Sequence, residues 1–345
     1  MWSVSPSRRI ATKYSHETPD ADVIIVGAGT TGASMAMGLA KQGKKVLVIE
    51  KCMDYQDRFV GELMQPGGLR ALRSLGLIDC AETEDDIKTL GYTIISTKRK
   101  ENIMLHYPKR IPQTIAEFLG FNDTNNGTAA QYGRGFHNGA FVQRIRERML
   151  QEPNITVIEG TVIKLTSNSK TNECTGVEFR RRAPDLDTEM PTEKAAAPLV
   201  IVADGLWSGL RRELSSDSPK QISSFVAVLM THPPNEATVP NRNFGHVILA
   251  NPSPILMYQI SRTDTRVLVD VPGTKVPSSS TGALTDHLIN FVAPQIPEES
   301  RAAFIKAVHE GPVKSMPNRE FMTTQPTLSR VILLGDSFNM RHPLT

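Results

Sequence analysis

The chain has 345 residues, of which 22% are charged, and its formal net charge is +3 at pH 7. This length is enough to bury a sizeable core and predicts two interleaved lobes. The basic clusters are short, which argues against a nucleic-acid surface, and the three cysteines show no metal-ligand spacing. We therefore expect no nucleic-acid partner, no bound metal and a reducing compartment.

Residues 1–19 combine serine, proline, arginine and histidine without an apolar core. This composition predicts a disordered tail rather than a signal peptide. No stretch approaches the roughly 18–20 consecutive apolar residues that a membrane span needs. Any membrane association is therefore expected to come from a surface patch, a partner or a segment that this chain lacks.

The strongest motif lies near the amino terminus. An apolar run at Val23–Val26 predicts a buried parallel strand, and a helix of small residues is predicted soon after it. Between them lies a G-x-G-x-x-G motif that consists of Gly27, Ala28, Gly29, Thr30, Thr31 and Gly32. In such a motif the first glycine permits the tight turn, the second lets backbone approach a pyrophosphate, and the third allows close helix–strand packing.

A second predicted strand, at 46–49, ends in Glu50, which is placed to accept a hydrogen bond from a ribose hydroxyl. The strand, the glycine turn, the helix and the terminal acid together predict dinucleotide binding, with an ordinary βαβ unit as the alternative. An acid at this position favours FAD or NAD over NADP.

Between residues 52 and 133 the sequence predicts few regular elements. Leucines at helical spacing predict one helix, alternation predicts two short strands, and a stretch rich in glycine, asparagine and threonine predicts a surface insertion. In chain order these are a helix with Leu69, Leu72 and Leu75, strands at 90–96 and 103–107, and the insertion at 111–133.

The remainder predicts mostly strands. The predicted elements are a helix with Phe141, Ile145 and Met149, strands at 155–165 and 174–181, a polar loop at 183–197, a buried strand at 199–203, and a helix with Leu206, Leu210 and Leu214. They continue with β-rich runs at 225–230, 247–250, 255–260 and 266–271, helices near 281–293 and 299–309, and a last strand at 331–334.

Two of these strands end in further acidic turns, at Asp204 and at Gly335-Asp336. The carboxyl ends of parallel strands are where an open α/β sheet binds its ligand. A second and a third acidic turn suit FAD, and Asp336 is placed to form hydrogen bonds with the ribitol of this cofactor. Either aspartate alone could instead be a helix N-cap. The predicted fold class is α/β, with a Rossmann-like FAD-binding domain of the GxGxxG type interleaved with a β-sheet-rich α+β substrate domain.

These motifs resemble the flavoprotein monooxygenases of the para-hydroxybenzoate hydroxylase type over most of the chain. From about residue 20 to the end the chain more closely resembles the squalene epoxidase (squalene monooxygenase) family. The stretches that carry this resemblance are 60–68, 248–254, 258–261, 266–270 and 335–345.

The resemblance implies an FAD enzyme that inserts one oxygen atom of O₂ across the terminal double bond of squalene to give (S)-2,3-oxidosqualene, in sterol and triterpenoid biosynthesis. It implies NADPH as the indirect electron donor, through NADPH–cytochrome P450 reductase. It also implies a place on the cytosolic face of the endoplasmic reticulum (microsomal) membrane.

The resemblance further implies site residues. The family's FAD contacts fall on Glu50, Lys51, Arg58, Arg134, Val162 and Asp336, with Lys51 replacing an expected arginine. Tyr92 matches the family's active-site tyrosine, with a half-buried strand tyrosine as the alternative. The candidates to line an apolar tunnel, with ordinary sheet core as their alternative, are Phe225, Val226, Leu229, Met230, Leu256, Met257, Tyr258 and Ile260.

The predicted FAD-binding domain comprises 20–72, 127–218 and 312–345, and the predicted substrate domain comprises 73–126 and 219–311. Members of the family continue beyond the position that matches Thr345 with a glycine-rich turn, further helices and an apolar anchor. The resemblance therefore predicts a C-terminally truncated chain with weakened FAD binding. Two alternatives stay open, namely a flavin monooxygenase acting on another apolar secondary-metabolite substrate and a non-catalytic remnant.

Overall fold

The computed structural model describes residues 20–99, 101–108, 131–183, 190–215 and 217–343. The chain divides into two compact units. The first unit comprises Met1–Gln56, Gly139–Lys220 and Arg319–Thr345, and the second comprises Asp57–Asn138 and Gln221–Asn318. The predicted tail and most of the predicted insertion lie outside the described residues.

Strands outnumber helices among the described residues. The strands are β1 (Val23–Val26), β2 (Val46–Glu50), β3 (Leu63–Met64), β4 (Ile87–Thr89), β5 (Gly91–Ser96), β6 (Glu101–His106), β7 (Gly133–Gly135), β8 (Ile155–Asn168), β9 (Glu173–Arg181), β10 (Thr192–Ala196), β11 (Leu199–Val202), β12 (Lys220–Thr231), β13 (Gly245–Leu249), β14 (Ile255–Gln259), β15 (Asp264–Pro272), β16 (Lys314–Met322), β17 (Val331–Leu333) and β18 (Asn339–Met340). The α-helices are α1 (Thr30–Ala40), α2 (Pro66–Ser74), α3 (Asn138–Gln151), α4 (Gly209–Leu214), α5 (Ala283–His287) and α6 (Glu298–Glu310).

The first unit is built on a seven-stranded sheet with the order β10-β9-β8-β2-β1-β11-β17. Strands β8, β2, β1, β11 and β17 are parallel, so β1, β2, β11 and β17 end at the same edge of the sheet. All four residues of β1 are buried, as expected for the middle of a parallel sheet. This arrangement confirms the predicted α/β class.

The polar loop predicted at 183–197 is wrong at Thr192–Ala196, because this segment forms β10 and pairs antiparallel with β9. Its side chains are small or charged, and only Ala195 joins the core, at 4% exposure. Edge strands need little apolar surface, which explains why the pattern gave no strand signal.

The second unit contains a sheet in which β12, β15, β14, β13, β5 and β6 are neighbours in that order. One face of this sheet packs its buried valine, isoleucine and methionine side chains against α5, α6 and the turns between them. Side chains alternate between the two faces along each strand, so the register of strand pairing shows which residues lie on the helix-covered face and which lie on the opposite face.

Strand β16 is an element that the sequence did not predict. It contains Pro317 and three charged residues, and it runs from the second unit into the first. Proline is tolerated in a sheet mainly near an edge, and in the sheet order β16 lies outside β12. No helix in the described part of the chain combines the length and hydropathy needed to cross a bilayer.

Candidate functional site

The G-x-G-x-x-G turn packs tightly against neighbouring backbone. The Gly27 amide donates to the Ile49 carbonyl at 2.8 Å, which ties the turn to β2. Gly27 has φ +99°, and a Cβ there would lie 2.5 Å from the Ala203 carbonyl oxygen. A Cβ on Gly32 would collide with the Gly27 carbonyl. The positive φ of Gly27 fits the tight turn predicted there, and the neighbouring backbone leaves no room for a side chain at either glycine.

Gly29 differs from these two glycines because the space beside it is open. A Cβ built on Gly29 would have no described atom within 4 Å. Gly29 is also the N-cap of α1, which begins at Thr30, so the first amides of the helix face this space with their partial positive charge. Thr31 borders the third strand end, since a Cβ on Gly335 would lie 2.8 Å from the Thr31 hydroxyl.

The carboxylate of Glu50 is held by three groups. Its Oε2 accepts from the Ala28 amide at 2.5 Å, and its Oε1 accepts from the Cys52 amide at 3.0 Å. Arg146, on α3, lies 3.8 Å from the same carboxylate and donates from Nε to the Ala28 carbonyl at 2.8 Å. Arg146 therefore joins the glycine turn to the acid. No local sequence pattern indicated this role, because a single arginine on a helix is usually a surface residue.

Asp204 follows β11 and faces the same edge of the sheet as Glu50. The Ser208 hydroxyl bonds its carboxylate, whereas Oδ1 is buried with no hydrogen-bond partner among the described residues. Burial raises the pKa of Asp204, although the Ser208 hydrogen bond and the nearby Arg211 act in the opposite direction. Burying a carboxylate oxygen without a hydrogen-bond donor lowers the stability of the fold, unless a bound ligand supplies the donor.

Arg211 connects the second and third strand ends. Its guanidinium donates to the Asp336 carbonyl at 3.2 Å and to the Leu206 carbonyl at 2.9 Å. The Ser337 hydroxyl lies 2.7 Å from the Val202 carbonyl and reinforces the same junction. The Asp336 side chain is exposed. These two side chains fix the acidic turns relative to each other, and the sequence motifs did not include them.

The first unit thus brings together the glycine turn, Glu50, Asp204, Gly335 and Asp336. The open space at Gly29 and the unpartnered oxygen of Asp204 fit a dinucleotide, whose phosphates need amides and whose hydroxyls supply donors. Of the remaining predicted contacts, Lys51 is exposed, and Val162 pairs with Phe179 and packs against the core of this unit.

Replacing Asp204 with asparagine is expected to separate stability from cofactor binding. Because burial raises the pKa of Asp204, its ionised form costs stability as pH rises through that pKa, and this cost is absent in Asp204→Asn. The flavin-free variant should therefore melt at the same temperature as the parent or higher at pH 8, and should bind FAD more weakly. Thermal melts at pH 5 and pH 8 measure the stability, and titration with FAD measures the affinity. A variant that is less stable than the parent at pH 8 would contradict the view that the Asp204 carboxylate is destabilising without a ligand.

The other predicted site residues lie in the second unit. Arg58 is exposed. Arg134, on β7, donates to the Asp86 carbonyl at 3.2 Å and lies 3.6 Å from the Glu82 carboxylate. Tyr92, on β5, is half-buried and accepts a hydrogen bond from the Gln65 amide nitrogen. Their roles toward a cofactor stay predictions.

An apolar row crosses the second unit's sheet on the face opposite the helices. Strand register aligns one residue from each of six neighbouring strands. In order from β12 to β6 the row consists of Ala227, Leu268, Leu256, Val247, Ile94 and Ile103. Exposure is 1% at Ala227, 3% at Leu268 and 57% at Ile103. The row therefore runs from buried side chains on β12 and β15 to an exposed side chain on β6.

This register divides the predicted tunnel residues. Val226, Met230 and Met257 belong to the helix-facing core, so the tunnel prediction is wrong for them. Leu256 belongs to the apolar row, and Tyr258 pairs with Arg266 in the next row of the same face. The eight candidates came from continuous apolar runs, in which alternation could not be assigned from the sequence alone.

A buried ion pair lies beside the apolar row. Arg266 binds Glu62 through two hydrogen bonds of 2.8 and 2.9 Å, with the two residues 6% and 0% exposed. Burial raises the pKa of Glu62 despite the lowering effect of Arg266. Nearby, His137 Nε2 donates to the Asp264 carboxylate at 3.2 Å, and this hydrogen bond raises the pKa of His137.

Comparisons with known proteins place this geometry in a family. Residues 196–345 match the family model of squalene epoxidase, and residues 22–57 match that of FAD-dependent oxidoreductases. The chain is 41% identical over 326 residues to squalene epoxidase 1 of Arabidopsis thaliana, covering 94% of this chain and 56% of the relative. It is 38% identical to squalene epoxidase erg1 of Schizosaccharomyces pombe, covering 95% and 66% respectively.

Solved structures agree on the fold. The p-nitrophenol 4-monooxygenase PnpA of Pseudomonas putida aligns with a TM-score of 0.70 and 16% identity, over 95% of this chain and 75% of that chain. The match of residues 22–57 to FAD-dependent oxidoreductases indicates that the dinucleotide element is of the FAD type. The chain spans about half the length of the plant relative, 56%. By its sequence, the chain belongs to the squalene epoxidase family.

Proposed function

We propose that this chain carries the FAD-dependent epoxidation of squalene. In this reaction O₂, NADPH and a proton convert the terminal alkene to an epoxide, and water and NADP⁺ are released. The first unit would serve as the FAD-binding domain and the second as the substrate-binding domain. The proposal rests on similarity to curated squalene epoxidases over 94% of the chain and on the apolar face of the second unit.

The observation that carries the substrate assignment is the six-residue apolar row. Squalene is a pure hydrocarbon, so its binding site must offer apolar contact and no unpartnered polar group. In the charged pair beside the row, Arg266 donates two hydrogen bonds to the Glu62 carboxylate, so each charge is compensated by the other. A hydrocarbon on this face would therefore meet no uncompensated charge from that pair.

The chain's own residues would bind and orient the cofactor. The amides at the start of α1 would hold the pyrophosphate, Glu50 the ribose, and Asp204 and Asp336 the hydroxyls farther along. When it is bound and reduced, FAD supplies the activation of O₂ that amino-acid side chains cannot. The apolar face contributes position and excludes water.

The proposed partners are NADPH–cytochrome P450 reductase and the cytosolic surface of the endoplasmic reticulum membrane. An exposed edge strand supports a lipid contact, because Ile103, Met104 and Leu105 on β6 are 57%, 44% and 52% exposed. The cations Lys98 and Arg99 precede this strand and are exposed as well. Apolar side chains beside cations suit an anionic lipid surface.

The test of the proposed function has two steps. Purified chain is first titrated with FAD, and the visible absorbance and quenched fluorescence of bound flavin are measured. NADPH, the reductase, O₂ and squalene are then added, and 2,3-oxidosqualene is quantified. Oxidosqualene that appears only with all components supports the proposal, and Ile94→Asp should abolish it while flavin binding persists.

Three other results would contradict the proposal. Turnover of a different lipid but not of squalene would indicate another apolar substrate. A flavin-bound chain that consumes NADPH without forming an epoxide would exclude this chain as the catalyst. A folded chain that binds no FAD would indicate a non-catalytic protein.

A further inference from the structure

Two glutamates lie beside each other in the first unit's sheet. Glu50 is the last residue of β2, and Glu159 on β8 is its register partner. Register partners on neighbouring parallel strands project from the same face of the sheet, so the two side chains are neighbours. The side chains of Glu50 and Glu159 are only 15% and 18% exposed. Two carboxylates this close together, and this far from water, repel each other unless cations compensate them.

Each glutamate has its own arginine. Arg146 lies 3.8 Å from the Glu50 carboxylate. Arg182, which follows β9 directly, donates from Nη1 to Glu159 Oε1 at 2.5 Å and to Asp54 Oδ2 at 2.9 Å. The Arg182 amide also donates to the Glu159 carbonyl at 2.8 Å, so its backbone continues the ladder between β8 and β9. Arg182 is therefore a cation that bridges β8 to the loop after β2.

The loop after β2 is attached to both glutamates by consecutive backbone amides. The Cys52 amide donates to Glu50 Oε1 at 3.0 Å, and the Met53 amide donates to Glu159 Oε1 at 3.0 Å. The latter oxygen is also the one that Arg182 binds. A displacement of the Glu159 carboxylate would therefore move Met53, and with it the preceding amide that orients Glu50. Arg182 is thus coupled to Glu50 through Glu159 and the loop.

The exposure of this bridge indicates what it contributes. The side chains of Arg182 and Asp54 are 48% and 65% exposed, and ion pairs between such groups add little to the stability of a fold. The guanidinium matters more for the position of the loop. The acceptor atoms of Asp54 and Glu159 lie within 4.8 Å of each other, so without Arg182 the two carboxylates would repel and the loop would move toward solvent.

We propose that Arg182 is a positioning residue for the adenosine end of FAD, because it holds the loop after β2 in the place from which the Glu50 carboxylate meets the ribose. The proposal rests on the proposed ribose role of Glu50, whereas the contacts that join Arg182, Glu159 and the loop stand on the geometry alone. A purely structural role would weaken the binding of every flavin ligand equally. A positioning role acts on the ribose hydroxyl, so it changes the selectivity for that hydroxyl.

The test compares FAD with an analogue whose adenosine lacks the 2′-hydroxyl, in titrations that follow the quenching of flavin fluorescence. The parent chain should bind FAD about 10-fold more tightly than the analogue, the worth of one hydrogen bond to a charged group. Arg182→Ala should lower the affinity for FAD about 5-fold and leave that for the analogue nearly unaffected. Arg182→Lys keeps the cation and should keep most of the selectivity. Arg181→Ala is the matched control, because it breaks a neighbouring ion pair, with Glu193, and should leave the selectivity unchanged.

The outcomes separate this proposal from the role on which it rests. A parent chain that binds both ligands equally would overturn the ribose role of Glu50, and this proposal with it. If the parent is selective, equal losses for both ligands in Arg182→Ala, or no loss for either, would overturn the proposal alone.

Two further measurements test the physical cause. Adding Asp54→Asn to Arg182→Ala removes one of the two facing carboxylates and should restore part of the selectivity, and a double variant as unselective as Arg182→Ala would refute charge repulsion as the cause. Hydrogen exchange of the flavin-free chain needs no ligand. The Met53 amide should exchange faster in Arg182→Ala than in the parent or in Arg181→Ala, and an unchanged rate would show that Arg182 does not hold the loop.

Discussion

Replacing Arg266 with methionine is expected to lower the free energy of unfolding of the second unit by about 3–5 kcal/mol. The change removes the guanidinium that holds Glu62 through two hydrogen bonds and leaves a carboxylate with 0% exposure. An uncompensated charge at such a site must either be desolvated or be neutralised by a proton. Urea unfolding followed by circular dichroism measures the loss.

The cost should depend on pH in a defined direction. Burial already raises the pKa of Glu62 in the parent chain, and loss of Arg266 removes the main opposing influence. A carboxyl group with a raised folded-state pKa keeps its stability below the unfolded pKa and loses it as pH rises through the folded pKa. Arg266→Met should therefore be less destabilising near pH 4 than at pH 8.

A double variant provides the decisive control for this prediction. Glu62→Leu combined with Arg266→Met replaces both charges by apolar groups and should recover most of the lost stability. Arg262→Met, at an exposed position shortly before the same arginine, should change stability by less than about 0.5 kcal/mol. A double variant no more stable than Arg266→Met would show that packing, and not the buried charge, determines the cost.

Two glycine substitutions in the same turn should have different effects. Gly32→Ala is expected to destabilise the first unit by about 1–3 kcal/mol, because its methyl group meets the Gly27 carbonyl and the backbone must move. Gly29→Ala should leave the flavin-free chain nearly as stable as the parent, since its φ of −72° is ordinary and no described atom lies within 4 Å of the new Cβ.

The two variants should nevertheless share a defect in cofactor binding. The methyl group of Gly29→Ala occupies the space through which a pyrophosphate approaches the helix amides, so FAD affinity should fall about 10- to 100-fold. Thermal melts and fluorescence titration with FAD separate the two effects. Gly67→Ala, in the second unit, is the matched control. If Gly29→Ala bound FAD as tightly as the parent, the phosphate site would not lie beside Gly29.

The dinucleotide element was predictable because its signal is local. Three features lie within 28 residues, namely the buried run at Val23–Val26, the glycine spacing and the acid at Glu50. Each of them has one physical reason to occur in a dinucleotide-binding element. The strand ends at Asp204 and Gly335 were also visible, because each follows a short buried run. The structure places all of them at one edge of one sheet.

The groups that join these elements were not predictable. Arg146 and Arg211 act through contacts with backbone 118 and 125 residues away, which no local pattern encodes. The two faces of the second sheet were also mixed in the sequence, since Val226 and Ala227 are both apolar and point to opposite faces. Strand register, which the fold alone supplies, was needed to separate the core from the apolar row.

The apolar row also implies a limit on molecular length. Six neighbouring strands spaced about 4.8 Å apart give five intervals, or about 24 Å from Ala227 to Ile103. The row is buried at Ala227 and exposed at Ile103, so a hydrocarbon bound along it in the proposed function would have about this length in contact with the sheet. A hydrocarbon longer than this must fold back on itself or project past β6 into the surroundings.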